Sequence, residues 1–283
     1  MKSVVVTGVS SGIGWGAAKV LTKAGYRVFG SVRKAADAER LSAEFGPSFV
    51  PLIFDVTDEA AVAAAAARVR EAIGGETLFG LVNNAGVAVP GPLLDLPIDE
   101  FRQQIEVNLT GLVIATQAFG PLLIPSDERK GAPGRIVNIS SVGGRTGTPF
   151  LGAYNASKFA VEGLSESLRR EMMMFGVEVI VIAPGAVATQ MMAKGVETDL
   201  SGYANSPFGP ALYRLRDMFA ALGAGGFPPE VLGEAILKAL TTPSPRVRYT
   251  VTPTPMRNLM AEVLPKRFLD RAMARQLGLL PKG

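Results

Sequence analysis

The chain has 283 residues and a net charge of +4, from 29 Lys and Arg residues and 25 Asp and Glu residues, and it contains neither His nor Cys. These absences exclude Ser-His-Asp and Cys-His catalysis, zinc sites built on either ligand, and disulfide bonds. Because 48% of the residues are hydrophobic, the chain can build a large core, and its length fits one large or two small domains.

Short β-branched segments alternate with helical segments over residues 3–183. The strand segments are nearly all apolar, as expected when both faces of a sheet are covered. The alternation predicts an α/β fold of the doubly wound, Rossmann type, with a parallel sheet and helices on both faces. The predicted strands are 3–7, 27–32, 49–54, 78–83, 135–140 and 177–183, and the predicted helices are 12–24, 35–45, 58–73, about 98–123 and about 152–175.

We predict one domain over residues 1–283, because no linker divides residues 1–183. Residues 190–228 combine scattered Gly and Pro with two short helical pieces and many apolar side chains, so they are predicted to cover the strand ends as a lid. A C-terminal extension begins at about residue 252. Neither a signal-peptide pattern nor an 18-residue apolar run occurs, so a cytoplasmic location without a transmembrane helix is expected.

A glycine-rich turn follows the first predicted strand. Gly8, Gly12 and Gly14 have the spacing Gly-x3-Gly-x-Gly, and glycine lets the backbone approach a pyrophosphate closely. The helix that follows offers free N–H groups to the phosphates. A tight strand-to-helix turn would explain the glycines equally well, but the position at the first crossover favours a dinucleotide site.

Arg33 and Lys34 follow directly after the second predicted strand. An acidic residue in this region would bind the adenosine ribose hydroxyls, but the nearest one, Asp37, already lies in the next helix. Arg33 and Lys34 could instead bind a 2′-phosphate, which favours NADP(H), although a solvated pair at a helix start is the alternative. Asp55 and Val56 follow the third strand, where adenine contacts are expected, and helix capping is the alternative for Asp55.

Tyr154 and Lys158 lie four residues apart at the start of a strong predicted helix, so their side chains share one face. A free phenol has a pKa near 10, which a nearby ammonium and a cationic nicotinamide would lower. An ordinary amphipathic pair is the alternative. Ser141 ends a buried strand just upstream, and Asn108 lies inside the long helix although Asn is a poor helix former.

These motifs together resemble the short-chain dehydrogenase/reductase family of the single-domain type, and within it the steroid and retinol dehydrogenase branch. The resemblance covers residues 3–190 and implies a seven-stranded sheet in the order 3-2-1-4-5-6-7, with the seventh strand at about 247–251. The matching positions are Thr7–Gly14, Asp55, Asn83–Gly86, Asn108, Ser141, Tyr154, Lys158, Pro184–Gly185 and Thr189.

The resemblance implies four catalytic residues. Tyr154 would be the general acid/base, and Ser141 would hydrogen-bond the same substrate oxygen. Lys158 would bind the nicotinamide ribose and lower the pKa of Tyr154, while Asn108 would hold a water that links Lys158 to solvent. Ser140 should point the other way, because strand side chains alternate.

The resemblance also implies a dinucleotide cofactor, with NADP(H) favoured and NAD(H) possible. Val32 stands where NAD-preferring members carry Asp, yet Val9–Ser11 lacks the basic residue that many NADP-preferring members place in the turn. The Val187 backbone and the Thr189 hydroxyl would fix the carboxamide. The predicted cofactor-binding residues are Gly8, Ser10, Ser11, Gly12, Ile13, Gly14, Arg33, Lys34, Asp55, Val56, Asn84, Ala85, Gly86, Tyr154, Lys158, Pro184, Gly185, Val187 and Thr189, and no metal site is predicted.

The predicted lid is rich in Met and aromatic side chains and shows no cluster that could bind a phosphate or carboxylate. A lipophilic ketone or alcohol is therefore the favoured substrate, although the same residues could simply pack the lid onto the body. Two other functions are alternatives: a non-catalytic dinucleotide sensor, which the intact Ser141, Tyr154 and Lys158 disfavour, and a nucleotide-sugar epimerase, which the turn spacing disfavours.

The C-terminal tail carries most of the positive charge. Residues 246–283 hold eight Lys and Arg residues, Lys282 included, and two acidic residues, so their net charge is +6 and the rest of the chain sums to −2. Its apolar spacing fits an amphipathic segment, divided at Pro265, that could touch an anionic membrane or pack on protein. A homodimer or homotetramer through helices 98–123 and 152–176 is expected, and nucleic-acid binding is not.

Overall fold

The computed structural model describes residues 1–281, apart from the side chains of Lys194 and Val196, so Lys282 of the tail lies outside the described residues. Seven strands form one parallel sheet in the order β3-β2-β1-β4-β5-β6-β7, which confirms the predicted order. The strands are β1 (Ser3–Val6), β2 (Arg27–Val32), β3 (Phe49–Ile53), β4 (Gly80–Asn83), β5 (Arg135–Ile139), β6 (Glu178–Pro184) and β7 (Arg248–Val251).

Helices cover both faces of this sheet, and most predicted bounds are correct to within one or two residues. The prediction was wrong for one long helix over 98–123, because a π-helical turn at Glu106–Thr110 interrupts it and a 3-10 turn ends it. The helices are α1 (Gly12–Lys23), α2 (Ala35–Phe45), α3 (Glu59–Ile73), α4 (Ile98–Ile105), α5 (Gly111–Phe119), α6 (Gly152–Met172), α7 (Gln190–Glu197), α8 (Gly209–Ala224), α9 (Pro229–Thr241), α10 (Pro255–Val263) and α11 (Lys266–Leu277).

The sheet has a hydrophobic core on each face, which explains why its strands are apolar throughout. Val4 and Val6 pack into one core, with α1, α2 and α9, whereas Val5 between them packs into the other, with α3 and α5. The alternation of side chains along each strand therefore supplies both cores.

Helix α9 was not predicted from the sequence, and it crosses α1 at very short distance. A Cβ atom on Gly16 would lie 2.4 Å from the Pro229 carbonyl oxygen, and one on Gly233 would lie 2.5 Å from the Gly16 carbonyl oxygen. The two glycines therefore permit the crossing that places α9 on the sheet.

The predicted lid and the C-terminal tail pack against each other. Leu277 of α11 is 1% exposed and shares a third hydrophobic cluster with Leu212 and Leu215 of α8. Arg214 donates a hydrogen bond to the Leu277 carbonyl oxygen (2.9 Å). The tail thus packs on its own chain, and no helix in the described residues is long and apolar enough to cross a membrane.

Candidate active site

The residues predicted to form the site converge at the carboxyl ends of the central strands, next to a large pocket. The pocket has a volume of about 660 Å³ and is bounded by the body, the lid helices α7 and α8, and the tail helices α10 and α11. Ser141 and Tyr154 both line it. Open α/β sheets bind their ligands at this edge, so the location is the expected one.

The glycine-rich turn is pressed against the end of β4. Gly8 has a φ of 71°, and a Cβ atom there would lie 2.9 Å from the Ala85 Cα, while one on Gly14 would lie 2.1 Å from the Gly8 carbonyl oxygen. Asn84 donates hydrogen bonds from Nδ2 to the carbonyl oxygens of Thr7 (2.9 Å) and Gly8 (3.0 Å). Only glycine therefore fits at Gly8 and Gly14, and Asn84 holds the turn in place.

The start of α1 faces the same edge. Ser11 is the N-cap residue and its side chain makes no capping hydrogen bond. Gly12, with a φ of 60°, lies against Thr189, since a Cβ atom on Gly12 would be 3.2 Å from the Thr189 Cγ2. Ile13 packs at the edge of the core beneath the turn. The first N–H groups of α1 can therefore act as phosphate donors.

A basic residue that the sequence analysis did not single out reaches the turn from α2. Arg40 donates a hydrogen bond from Nη2 to the Ser10 carbonyl oxygen (2.7 Å), and it also pairs with Asp37 (3.2 Å) and Glu44 (3.5 Å). Arg40 thus brings a guanidinium to a turn that has no basic residue of its own. Its position within a solvent-facing helix gave no sequence signal for this contact.

Arg33 and Asp55 lie together after β2 and β3. Arg33 is highly exposed, and its Nη1 is 3.8 Å from Asp55 Oδ2. Asp55 Oδ1 accepts hydrogen bonds from the backbone N–H (3.1 Å) and the hydroxyl (2.8 Å) of Thr57, while Asp58 is the N-cap of α3. Lys34 is exposed at the N-cap position of α2 and makes no capping hydrogen bond.

Val56 and Gly86 lie against the helical segment 98–123, which the π-helical turn interrupts. Val56 is buried and packs where Gly111 leaves room, because a Cβ atom on Gly111 would lie 2.7 Å from Val56 Cγ2. A Cβ atom on Gly86 would lie 3.1 Å from Asn108 Oδ1. Both residues therefore sit close to the sheet edge that carries Asn84 and the glycine-rich turn.

Tyr154 and Lys158 lie in the first two turns of α6, as predicted, and share one face. Lys158 is 6% exposed, and its Nζ lies 5.9 Å from the centroid of the Tyr154 ring. This ammonium donates a hydrogen bond to the Ile139 carbonyl oxygen at the end of β5 (2.9 Å). Ser141 follows Ile139 by two residues, and its Oγ accepts a hydrogen bond from the Gly143 N–H (3.0 Å).

Burial shifts the pKa of both members of this pair. Burial raises the pKa of Tyr154 above its ordinary value, and a hydrogen bond with Ser141 acts in the opposite direction. Burial is the larger of these two effects, so the pKa of the phenol is raised on balance, and the predicted lowering by Lys158 together with a cationic nicotinamide stays a prediction. Burial also lowers the pKa of Lys158, to about 8. At neutral pH the site therefore holds a neutral phenol beside an ammonium ion.

Asn108 lies in the π-helical turn, and its side chain is fully engaged by neighbouring groups. Its Nδ2 donates to the Val87 carbonyl oxygen (3.0 Å) and to Ser157 Oγ (3.1 Å), and its Oδ1 accepts from the Val87 N–H (2.8 Å). These bonds connect the loop after β4 to α6. The predicted role of Asn108 in holding a water stays a prediction.

Ser140 and Ser141 have different surroundings, as the alternation along a strand predicts. Ser141 lines the pocket, whereas Ser140 Oγ is buried and has no hydrogen-bond partner among the described residues. A Cβ atom on Gly144 would lie 2.6 Å from Ser140 Oγ. Ser140 thus faces the short 3-10 turn beneath the site and not the pocket.

The segment after β6 reaches the site through close backbone contacts. Pro184 ends β6, and a Cβ atom on Gly185 would lie 2.3 Å from Thr252 Oγ1. Val187 forms a parallel bridge with Phe227. Thr189 is the N-cap of α7 and accepts a hydrogen bond from the Met192 N–H (3.3 Å). Capping was not predicted for Thr189, and it fixes the start of the lid beside Gly12.

The described residues contain no group of three acidic side chains that could hold a metal ion. The candidate reactive groups of the site are the Tyr154 phenol, the Ser141 hydroxyl and the Lys158 ammonium.

Residues 2–200 match the family model of the short chain dehydrogenases. The chain is 38% identical over 278 residues to an NADPH-dependent 3-dehydrocapnine reductase of Ornithobacterium rhinotracheale, with 98% of each protein covered. This chain belongs to the short-chain dehydrogenase family. The prediction of an NAD(P)-dependent oxidoreductase on this fold is thereby confirmed.

Solved structures of this family have the same architecture. A short-chain dehydrogenase from Streptomyces avermitilis is 29% identical, with a TM-score of 0.76 over 97% of this chain and 94% of its own. A 3-ketoacyl-(acyl-carrier-protein) reductase from Brucella melitensis, complexed with NADH, is 25% identical, with a TM-score of 0.71 over 89% of this chain and 96% of its own. One relative thus uses NADPH and another binds NADH, which agrees with the prediction that NADP(H) is favoured and NAD(H) is possible.

Proposed function

We propose that the protein interconverts a lipophilic carbonyl compound and its alcohol with NADP(H), using Tyr154 as the general acid/base. One observation carries this proposal: Ser141 and Tyr154 open onto a pocket of about 660 Å³ whose walls are mostly apolar. A pocket of this size suits a small organic molecule. Lid, tail and body together bound this pocket, so we propose that residues 1–283 act as one catalytic domain, with the lid at 190–228.

The residues of the glycine-rich turn fit a dinucleotide. The close contacts at Gly8 and Gly14 leave backbone, and no side chain, at the surface beside the free N–H groups of α1. Arg33, with Lys34 beside it, would bind the 2′-phosphate, and Lys158 would bind the nicotinamide ribose. When bound, NADPH supplies the hydride that adds to the carbonyl carbon.

Tyr154 has the state that carbonyl reduction requires. Its raised pKa keeps the phenol protonated at neutral pH, so the Tyr154 hydroxyl can give its proton to the carbonyl oxygen as negative charge develops there. The Ser141 hydroxyl donates a second hydrogen bond to the same oxygen. Lys158, cationic below a pKa of about 8, stabilises the phenolate that remains.

The cofactor preference is tested with Arg33→Ala. The side chain is exposed and only weakly paired with Asp55, so the variant should fold, and loss of a charge-assisted bond to the 2′-phosphate should lower kcat/KM for NADPH roughly tenfold. The kcat/KM for NADH should stay within about twofold, since NADH lacks that phosphate. An unchanged NADPH efficiency would refute the assignment of Arg33.

The substrate class is tested with a panel of steroid, retinoid, fatty aldehyde, acyl and sugar carbonyl compounds and NADPH. The apolar pocket side chains, among them Met191, Leu212 and Phe219, should favour the lipophilic members because burial of apolar surface stabilises the complex. Turnover confined to the sugars would contradict the lipophilic assignment.

Two further proposals concern partners. The segment 98–123, which contains α4 and α5, and helix α6 are proposed to form a homodimer or homotetramer. Phe159 on α6 is exposed, which supports this. The tail is proposed to touch anionic membranes at its exposed apolar residues, which include Met256, Leu259 and Phe268. Basic residues of α10 and α11 support the membrane contact.

A further inference from the structure

The C-terminal tail adds a polar wall to the mostly apolar pocket. Arg257 and Asn258 of α10 and Lys266 at the start of α11 line the same pocket as Ser141 and Tyr154. The lid residues of that pocket are mainly Met, Leu and Phe. One cavity therefore joins a carbonyl-reducing centre, an apolar wall and a cationic wall.

The two tail cations have no ion-pair partner within residues 1–281, whereas other cations of the region do. Arg216, the third cation that lines the pocket, is bound by Asp217 at 2.9 Å. Glu262, one of two acidic residues in the tail, forms an ion pair with Arg145 (3.2 Å) and not with either tail cation. Arg257 and Lys266 are thus left with positive charge that nothing in the described chain neutralises through an ion pair.

Asn258 supplies an independent observation at the same wall. Its Nδ2 is buried and has no hydrogen-bond partner among the described residues, although a buried donor that stays unsatisfied is costly. The opposing charge is small, because Asp270 is the single acidic residue among the pocket-lining residues. The ion pairs of the described residues do not include one between Asp270 and Lys266. An anionic ligand at this wall would offer acceptor oxygens to side chains that have no such partner among the described residues.

We propose that the pocket binds amphiphilic carbonyl compounds whose anionic group is held by Arg257, Lys266 and the Asn258 amide. The anion is a carboxylate, sulfonate or phosphate, since each offers several acceptor oxygens to these donors. The apolar chain of the same molecule lies against the Met and Leu side chains of the lid. This assignment rests on the proposed carbonyl reduction and names its substrate class.

Kinetics with a matched substrate pair test the proposal. 12-Oxododecanoate and its methyl ester share one aldehyde and one chain, and they differ in the anionic group. The acid should have the higher kcat/KM with NADPH, and Arg257→Gln should lower that value roughly tenfold, through KM, while the ester changes less than about twofold. Asp270→Asn should raise the value for the acid. Arg257 is exposed, so its replacement should leave folding intact.

Arg267→Gln is the matched control, because Arg267 is also exposed in the tail but does not line the pocket. It should leave the preference for the acid intact. Equal efficiency of acid and ester in the wild type, or equal losses in Arg257→Gln and Arg267→Gln, would overturn the proposal, while turnover of both substrates would still support carbonyl reduction.

A binding measurement separates this proposal from catalysis. Calorimetric titration of the protein with dodecane-1-sulfonate, dodecanoate and dodecan-1-ol should show tighter binding of both anions than of the alcohol. Arg257→Gln and Asn258→Leu should remove that difference. Binding of the alcohol as tightly as the anions would overturn the anion site even if no aldehyde were reduced, and preference for one anion would identify the head group.

Discussion

Lys158 is a buried cation beside Tyr154, and its surroundings bear directly on the chemistry of the site. It is 6% exposed and donates a hydrogen bond to the Ile139 carbonyl oxygen, and none of the ion pairs of the described chain includes it. A buried cation without an acidic partner is unfavourable for folding. This cost supports the catalytic role proposed for Lys158 beside Tyr154, since functional sites often lower stability.

The pH dependence of activity should report the ionisation of Lys158. Because burial lowers its pKa to about 8, the ammonium is present below that pH and is lost above it. The kcat/KM for carbonyl reduction should therefore be level near neutral pH and fall as the pH rises through about 8. Initial rates of NADPH oxidation across pH 6 to about 10 measure this, and a level profile through pH 8 to 9 would contradict it.

Lys158 should also make the free energy of unfolding depend on pH. The folded pKa of Lys158, about 8, lies below the ordinary value of 10.5, so the unfolded chain holds this proton more tightly. The contribution of Lys158 to the free energy of unfolding should then rise as the pH increases between these values. In denaturant titrations Lys158→Met should lack this rise and be the more stable protein at neutral pH, though inactive.

Among the structural elements, those that depend on a local sequence pattern could be predicted from the sequence. The apolar strands, the glycine-rich turn and the Tyr154–Lys158 face all follow from residue order along one segment. The π-helical turn around Asn108 could not be predicted, because it is stabilised by hydrogen bonds to Val87 and Ser157, which are distant in sequence. Helix α9 and the tail cations at the pocket depend likewise on tertiary packing.

The crossing of α1 and α9 gives a test of that packing. Gly16→Ala should lower the free energy of unfolding by about 1–3 kcal/mol, because its Cβ would lie 2.4 Å from the Pro229 carbonyl oxygen and the backbone must shift. Gly163→Ala is the control in α6: nothing lies within 4 Å of its Cβ position, so the better helix former should stabilise by up to about 1 kcal/mol. Urea titrations measure both, and destabilisation of equal size would contradict the crossing.

For the whole molecule, exposed apolar side chains on α6 and the 3-10 turn after it define the expected subunit interface. Phe159 is 46% exposed and Met173 and Met174 are more than 70% exposed, whereas Met172 is packed in the core. Met172 therefore lies outside the expected interface. Exposed apolar side chains of this size are common at subunit interfaces.

Sedimentation velocity tests this interface. The wild type should sediment as a dimer or tetramer, and Phe159→Glu should shift it toward monomer, because a buried unpaired carboxylate is unfavourable in an apolar interface. Phe268→Glu serves as the control, since Phe268 is 61% exposed in the tail and should not alter the assembly. A wild-type monomer at micromolar concentration would contradict the prediction.

For the whole protein, the proposed carbonyl reduction requires that Tyr154 supplies the proton. Tyr154→Phe keeps the ring and removes the hydroxyl, so kcat/KM for reduction of a fatty aldehyde by NADPH should fall by about 10²–10⁴. NADPH binding, measured by fluorescence titration, should change less than about threefold. Tyr213→Phe, at an exposed position of α8, should behave as wild type. A Tyr154→Phe enzyme within about twofold of wild-type kcat/KM would contradict the account.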